Sequence, residues 1–153
     1  MDLPIFPLNG AVLFPNTSLP LNIFENRYID MVDFALSKNR LIGMIQTDSN
    51  KKLYGVGCVG KIQSFSETAD GRYLITLIGT NCFKVVEENE MVYDFRIVKA
   101  KILENSNKEN KFTYDQKTAL LQKYKKYADI NKIDLDLLEF EKIEVEQIIK
   151  FIA

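Results

Sequence analysis

Hydrophobic positions along this chain change their spacing three times. The opening reads as short apolar runs, Leu3–Leu8, Val12–Phe14 and Leu19–Phe24, cut by the turn residues Asn9-Gly10 and Pro15-Asn16-Thr17-Ser18. Each run predicts a short strand. Pro4 and Pro7 cannot donate to a ladder, so the first strand is expected at a sheet edge. From Glu25 to Ser37 the period lengthens: Tyr28, Met31, Val32, Ala35 and Leu36 recur at helical spacing, with Glu25, Asp30 and Asp33 on other faces or in the first turn. Leu41–Gln46 then returns to the pattern of a buried strand, followed by a polar loop from Thr47 to Lys52.

Further on, Val56, Cys58 and Ile62 alternate with Gly57 and Lys61, and Gly55, Gly57 and Gly60 suit a strand that bends sharply in a small barrel. Asp70-Gly71 predicts a hairpin joining Lys61–Phe65 to Arg72–Ile78. Gly79-Thr80-Asn81 predicts another turn into Cys82–Val86. Tyr93–Leu103 reads as a long last strand, with a bulge where apolar parity shifts between Ile97 and Val98.

The polar stretch Glu104–Lys111 marks a boundary, giving a β-rich domain over 1–103 and a helical extension over 112–153. Thr113 with Gln116 makes a capping box ahead of Leu120, Leu121, Tyr124, Tyr127 and Ala128 at helical intervals. A second helix is expected around Val145, Ile148, Ile149 and Ile152, ending at Ala153 with no Gly or Lys cap.

Composition narrows the function. The 153 residues are 46% hydrophobic and 27% charged, the balance of a globular protein with one core. Ten basic and 11 acidic residues lie up to Ala100, and ten of each lie beyond it, so there is no basic half to neutralise phosphates. Nucleic acid is therefore a disfavoured partner. No apolar stretch approaches the roughly 20 residues that span a bilayer, and the N-terminus carries no secretory pattern. A cytoplasmic location without membrane attachment is the expectation, and Cys58 and Cys82 are read as reduced core residues.

Histidine is absent, which removes the commonest general base and transition-metal ligand. Neither a phosphate loop nor a nucleophile elbow is present. Gly55-Val-Gly-Cys-Val-Gly60 lacks the spacing and the following helix of a dinucleotide fingerprint. The carboxylate pairs Glu87-Glu88 and Asp134 with Asp136 read as solvated surface. No catalytic residue, cofactor or metal site is expected. An enzyme using a carboxylate or cysteine nucleophile stands as a third-ranked reading.

Leu3-Pro-Ile-Phe-Pro-Leu-Asn-Gly-Ala-Val-Leu-Phe-Pro15, followed by Leu19-Pro-Leu-Asn-Ile-Phe-Glu-Asn-Arg-Tyr28, resembles the opening of the Lon protease N-terminal, substrate-binding domain. The similarity continues through Leu41–Gln46, Gly55–Ile62 and Phe65–Gly79, densely to about residue 87, and then loosens. It implies an α+β fold: a PUA-like twisted β pseudo-barrel with one packed helix, followed by a helical extension. The tail from Tyr114 to Tyr127 is similar to that of free-standing members without ATPase or protease, although those usually continue past the point where this chain stops. Cys82-Phe83-Lys84 departs from the family's arginine before the phenylalanine.

The function this resemblance implies is non-enzymatic recognition of unfolded or apolar polypeptide segments, as an adaptor in protein quality control. It leaves open a separate protease or chaperone partner and a homodimer formed through the helical extension. A PUA-like RNA-binding module is the alternative, with Lys117, Lys123, Lys125 and Lys126 as its basic candidates. From the residues, the site to watch is the junction Phe24-Glu25-Asn26-Arg27-Tyr28. There an aromatic pair brackets a charged pair at a helix start, where free N–H groups gather. The competing reading places both aromatics in the core.

Overall fold

The structure, a computed structural model, describes residues 1–89, 92–104 and 114–131. The chain forms two compact units, Met1–Asn105 and Ser106–Ala153. The first contains β1 (Asp2–Pro7), β2 (Ser18–Ile23), α1 (Asn26–Leu36), β3 (Leu41–Ile45), β4 (Val56–Glu67), β5 (Tyr73–Glu88) and β6 (Arg96–Ile102). The second contains α2 (Tyr114–Asn131).

Strand order is β2-β5-β4-β3-β1-β6, and β5 also pairs with β6. The 16-residue β5 makes this closure: its first part lies against β2, its last part against β6. Five strands therefore form a ring, with β2 added outside it. The ring interior is filled by Leu3, Ile5, Ile45, Val59, Phe83, Val98 and Ala100, which come from all five strands. Phe83 is fully buried, and glycines make room for its ring: a Cβ at Gly43 or Gly57 would approach it to 2.9 or 2.8 Å.

A second cluster covers the outside of the sheet beneath α1. It contains Phe6, Leu13, Ile23, Ile42, Met44, Ile62, Ile75, Leu77 and Phe95 with the helix residues Tyr28, Met31, Val32 and Ala35. These helix positions are the stripe that the sequence predicts. The helix packs against β1 and β3. This is the α+β pseudo-barrel with one packed helix that the resemblance implied.

Four local expectations change. β1 is an interior strand, parallel to β3 and antiparallel to β6. It tolerates its prolines because its two neighbours overlap it only at Ile5: β6 pairs with 2–5 and β3 with 5–7. Met1 and Ala100 exchange both backbone bonds at 2.8 Å, so the alternation leaves Pro4 at a non-hydrogen-bonded position facing β6. Leu8 N–H donates to Ile45 O, so Pro7, one residue earlier, directs its nitrogen away from β3.

Val12–Phe14 forms no strand. Leu13 is buried as a plug from an irregular segment whose Thr17 side chain bonds both the N–H and the carbonyl of Phe14. Gly79–Asn81 is not a turn: β5 runs through it. The missing side chain of Gly79 instead lets this segment cross the strand, with Asn16 N–H donating to Gly79 O and Gly79 N–H to Thr17 O at 2.8 and 2.9 Å.

The expected bulge lies on the opposite strand. Val85 and Glu87 of β5 face Ala100 and Lys99 of β6, so the extra residue is Val86. The parity shift in β6 has another cause, since Ile97 packs on the outer cluster while Val98 fills the ring.

In the second unit, α2 carries buried Tyr124 and Ala128 at the expected spacing, with half-buried Leu120 and Leu121. Tyr127 is 54% exposed and stacks on Tyr124 at 6.4 Å. The linker beyond Glu104, the cap at Thr113 and the helix around Val145, Ile148, Ile149 and Ile152 lie outside the described residues.

Candidate functional site

The helix start separates its two aromatics. Tyr28 is 7% exposed and packs on Phe6 at 4.4 Å between ring centroids, whereas Phe24 is 66% exposed. Glu25 is the N-cap by backbone geometry, and its carbonyl accepts from Tyr28 and Ile29 N–H at 2.8 and 3.0 Å. Its carboxylate does not cap. It accepts from Arg27 Nε and Nη2 at 2.9 and 2.7 Å instead.

The Arg27 guanidinium lies 4.5 Å from the Tyr28 ring centroid, clamped between Glu25 and an aromatic face. Burial pushes the Tyr28 hydroxyl above its ordinary pKa, against the lowering influence of Arg27. Asn26 is exposed. The junction thus presents Phe24 and a neutralised ion pair to solvent, and the Tyr28 ring lies against the Arg27 end of that pair.

A second feature has no counterpart among the sequence candidates. Ala11–Phe14, Met44–Gln46, Tyr54, Val56–Cys58 and Cys82 line an open cleft of about 290 Å³. Its floor is core: Leu13, Met44 and Cys58 are buried. Its rim is apolar yet exposed, with Val12 at 39%, Tyr54 at 54% and Val56 at 53%. Among the described residues, no Lys, Arg, Asp or Glu lines it. Backbone bonds fix the rim, since Tyr54 N–H donates to Gln46 O at 3.0 Å and Thr47 bridges to Leu53. The only sequence trace of the cleft is the apolar Val12-Leu13-Phe14 run.

Cys58 and Cys82 face each other across β4 and β5, and both are free. Cys58 is buried and its thiol is pushed up to about 12, chiefly by burial and further by neighbouring Cys82. Cys82 is half-buried at the cleft wall.

Among the described residues, the remaining charged candidates form no site. Glu87 pairs with Lys99 at 2.9 Å on the surface. Lys123, Lys125 and Lys126 are exposed on α2, while Lys117 is half-buried and engaged. Asp134 and Asp136 lie outside the described residues. Among the described residues no group of three potential ligands could hold a metal ion, and no helix is long and apolar enough to cross a membrane.

Residues 2–150 match the family of the ATP-dependent protease La (LON) substrate-binding domain. Lon protease 1 of Bdellovibrio bacteriovorus is 27% identical over 98% of this chain and 18% of its own length. Lon protease of Syntrophus aciditrophicus is 30% identical over 63% of this chain and 14% of its own length. The chain thus spans less than a fifth of these relatives.

Among solved structures, a Lon N-terminal domain protein from Xanthomonas campestris superposes with a TM-score of 0.62 at 24% identity, covering 80% of this chain and 72% of that one. The N-terminal domain of the Mycobacterium avium complex Lon protease gives 0.62 at 13% identity, covering 94% and 76%.

Proposed function

The chain belongs to the Lon substrate-binding domain family, and from that premise we propose that it binds exposed apolar segments of unfolded polypeptides through the cleft between Val12, Tyr54 and Val56. The observation that carries this reading is an exposed apolar rim over a cleft lined by no charged side chain. Burial of apolar side chains is non-directional and tolerates many sequences, which suits a site for extended chains rather than for one folded surface. At about 290 Å³ the cleft has room for side chains. Ligand pockets of roughly 300–1,000 Å³ take whole small molecules.

Phe24, with Glu25, Asn26 and Arg27 beside it, supplies a second apolar contact. Binding without catalysis fits delivery of substrates to a protease or chaperone that performs the chemistry, an adaptor role in quality control.

Fluorescence anisotropy of a labelled, permanently unfolded polypeptide tests the reading, with its folded counterpart and a single-stranded RNA as controls. Val56→Asp puts a charge on an already exposed rim. It is expected to weaken binding at least tenfold, about 1.4 kcal/mol, with the unfolding midpoint kept. Phe24→Ser is expected to give a smaller loss. Unchanged affinity in both variants, or equal binding of the folded counterpart, overturns the assignment.

A further inference from the structure

We propose that Cys58 and Cys82 are a redox-responsive dithiol that closes to a disulfide in the wall of the cleft when a peroxide reaches it. The two residues are direct partners in the antiparallel β4–β5 register. Their position in the ladder is the one that brings side chains closest.

Val85 N–H donates to Gly55 O, so the hydrogen-bonded pairs along this stretch are 55 with 85 and 57 with 83, and the pair 58 with 82 is non-hydrogen-bonded. The Cys82 carbonyl confirms the parity: it accepts from Leu103 N–H at 2.8 Å and so points away from β4. Facing residues at such positions have Cα atoms about 4.5 Å apart. That is inside the roughly 4.4–6.8 Å range over which a disulfide forms without backbone movement. Both side chains share one face of the sheet and line the same cleft. The register shift between Cys58 and Gly60 gives the ladder local slack.

The two thiols differ in a way that orders the chemistry. Cys82, half-buried at a solvent-open wall, is the one a peroxide meets first. Its sulfur attacks one peroxide oxygen and the O–O bond breaks. Hydroxide leaves and takes up the thiol proton as water, with a sulfenic acid left on Cys82. Cys58 sulfur then attacks the Cys82 sulfur: the S–S bond forms, the S–O bond breaks, and a second water leaves with the Cys58 proton. Two thiols and one peroxide become one disulfide and two waters. The high pKa of Cys58 slows this second step at neutral pH and lets it accelerate as pH rises.

The bridge stands whatever the cleft binds. Its consequence rests on the polypeptide reading: two separate thiols at the floor and wall become one fixed link.

Trypsin cleaves after Lys52, Lys61, Arg72 and Lys84 and so places the cysteines in separate peptides, 53–61 and 73–84. The full chain is exposed to hydrogen peroxide, alkylated in denaturant and digested, beside the Cys82→Ser variant. Expected are a linked 53–61/73–84 pair in monomeric protein, loss of both alkylatable thiols, recovery of both with dithiothreitol, and no link in the variant. Both thiols still alkylatable, oxygen added at Cys82 with Cys58 still free, or a link found only between chains overturns the proposal. Anisotropy on the reduced and bridged forms separates the two readings. A bridge that forms in a protein without polypeptide affinity sinks the cleft assignment alone, and a reduced protein that binds but never bridges sinks the dithiol alone.

Discussion

A methyl group added at Gly79 would run into the Phe14 carbonyl oxygen and lie 2.8 Å from its carbon. Both are backbone atoms of a segment tied to Gly79 by two hydrogen bonds, so neither side can yield cheaply. Gly79→Ala is expected to destabilise the fold by about 3 kcal/mol, within the range for strain at a packed position, read as a lower urea midpoint. An unchanged midpoint would mean that the 14–17 segment moves freely. Cys58 gives a second prediction at this scale. Burial raises its folded-state pKa to about 12, above an unfolded value near 9. Its contribution to stability is therefore complete below about pH 9 and is lost as pH rises towards 12. Cys58→Ala should flatten that alkaline loss in unfolding curves taken from pH 8 upwards, and an unaltered slope would assign it to other groups such as Tyr28. The helix start shows how far single residues are legible. Phe24 and Tyr28 are four apart, yet Phe24 precedes the first helical residue, Asn26, so helical spacing does not place it. Only the chain direction out of β2 leaves it in solvent, and that direction is set by tertiary contacts.

Periodicity identifies an element wherever one face is dry and the other wet, as in α1, whose four buried residues all lie on the predicted stripe. It misleads where backbone context decides. The prolines of β1 read as an edge signal, but each sits where only one neighbour runs alongside. The apolar run 12–14 reads as a strand, but its work is to plug the sheet with Leu13 and to line the cleft, a role without period. For that reason the charged junction at 24–28 was visible in the sequence while the cleft was not: its lining comes from four separate stretches that only the sheet assembles. Among the described residues, the open flank of β2 is the sheet's terminal edge. Gly79 N–H donates to Thr17 O, so odd-numbered residues of β2 face β5 and Pro20 directs its nitrogen outwards. The proline thus removes a donor from that edge, a known defence against edge-to-edge pairing. Pro20→Val is expected to raise self-association, measured as a sedimentation coefficient that increases with concentration. A variant that stays monomeric at every concentration would show that the edge is guarded by something other than Pro20.

At the scale of the molecule, the described residues that close the ring and form both apolar clusters lie between Met1 and Leu103, and those that line the cleft lie between 11 and 82. A fragment of residues 1–104 is therefore expected to unfold cooperatively and to keep its affinity for an unfolded polypeptide within a few-fold of the whole chain. Charge supplies a further constraint on that binding. The chain carries a net charge of -1 and no ionic side chain among the described residues lines the cleft, so entry of an apolar segment there releases no counterions from them. Raising salt from 50 to 500 mM should leave the polypeptide affinity level or slightly tighter, because screening removes no attraction of this kind. A nucleic-acid contact of several phosphates would instead weaken by orders of magnitude over the same interval. A fragment that folds but binds only when the second unit is present would move the site off the cleft and towards the helical extension. A fragment that binds with a steep loss in salt would place recognition on charged groups, with the Glu25–Arg27 pair the first to vary.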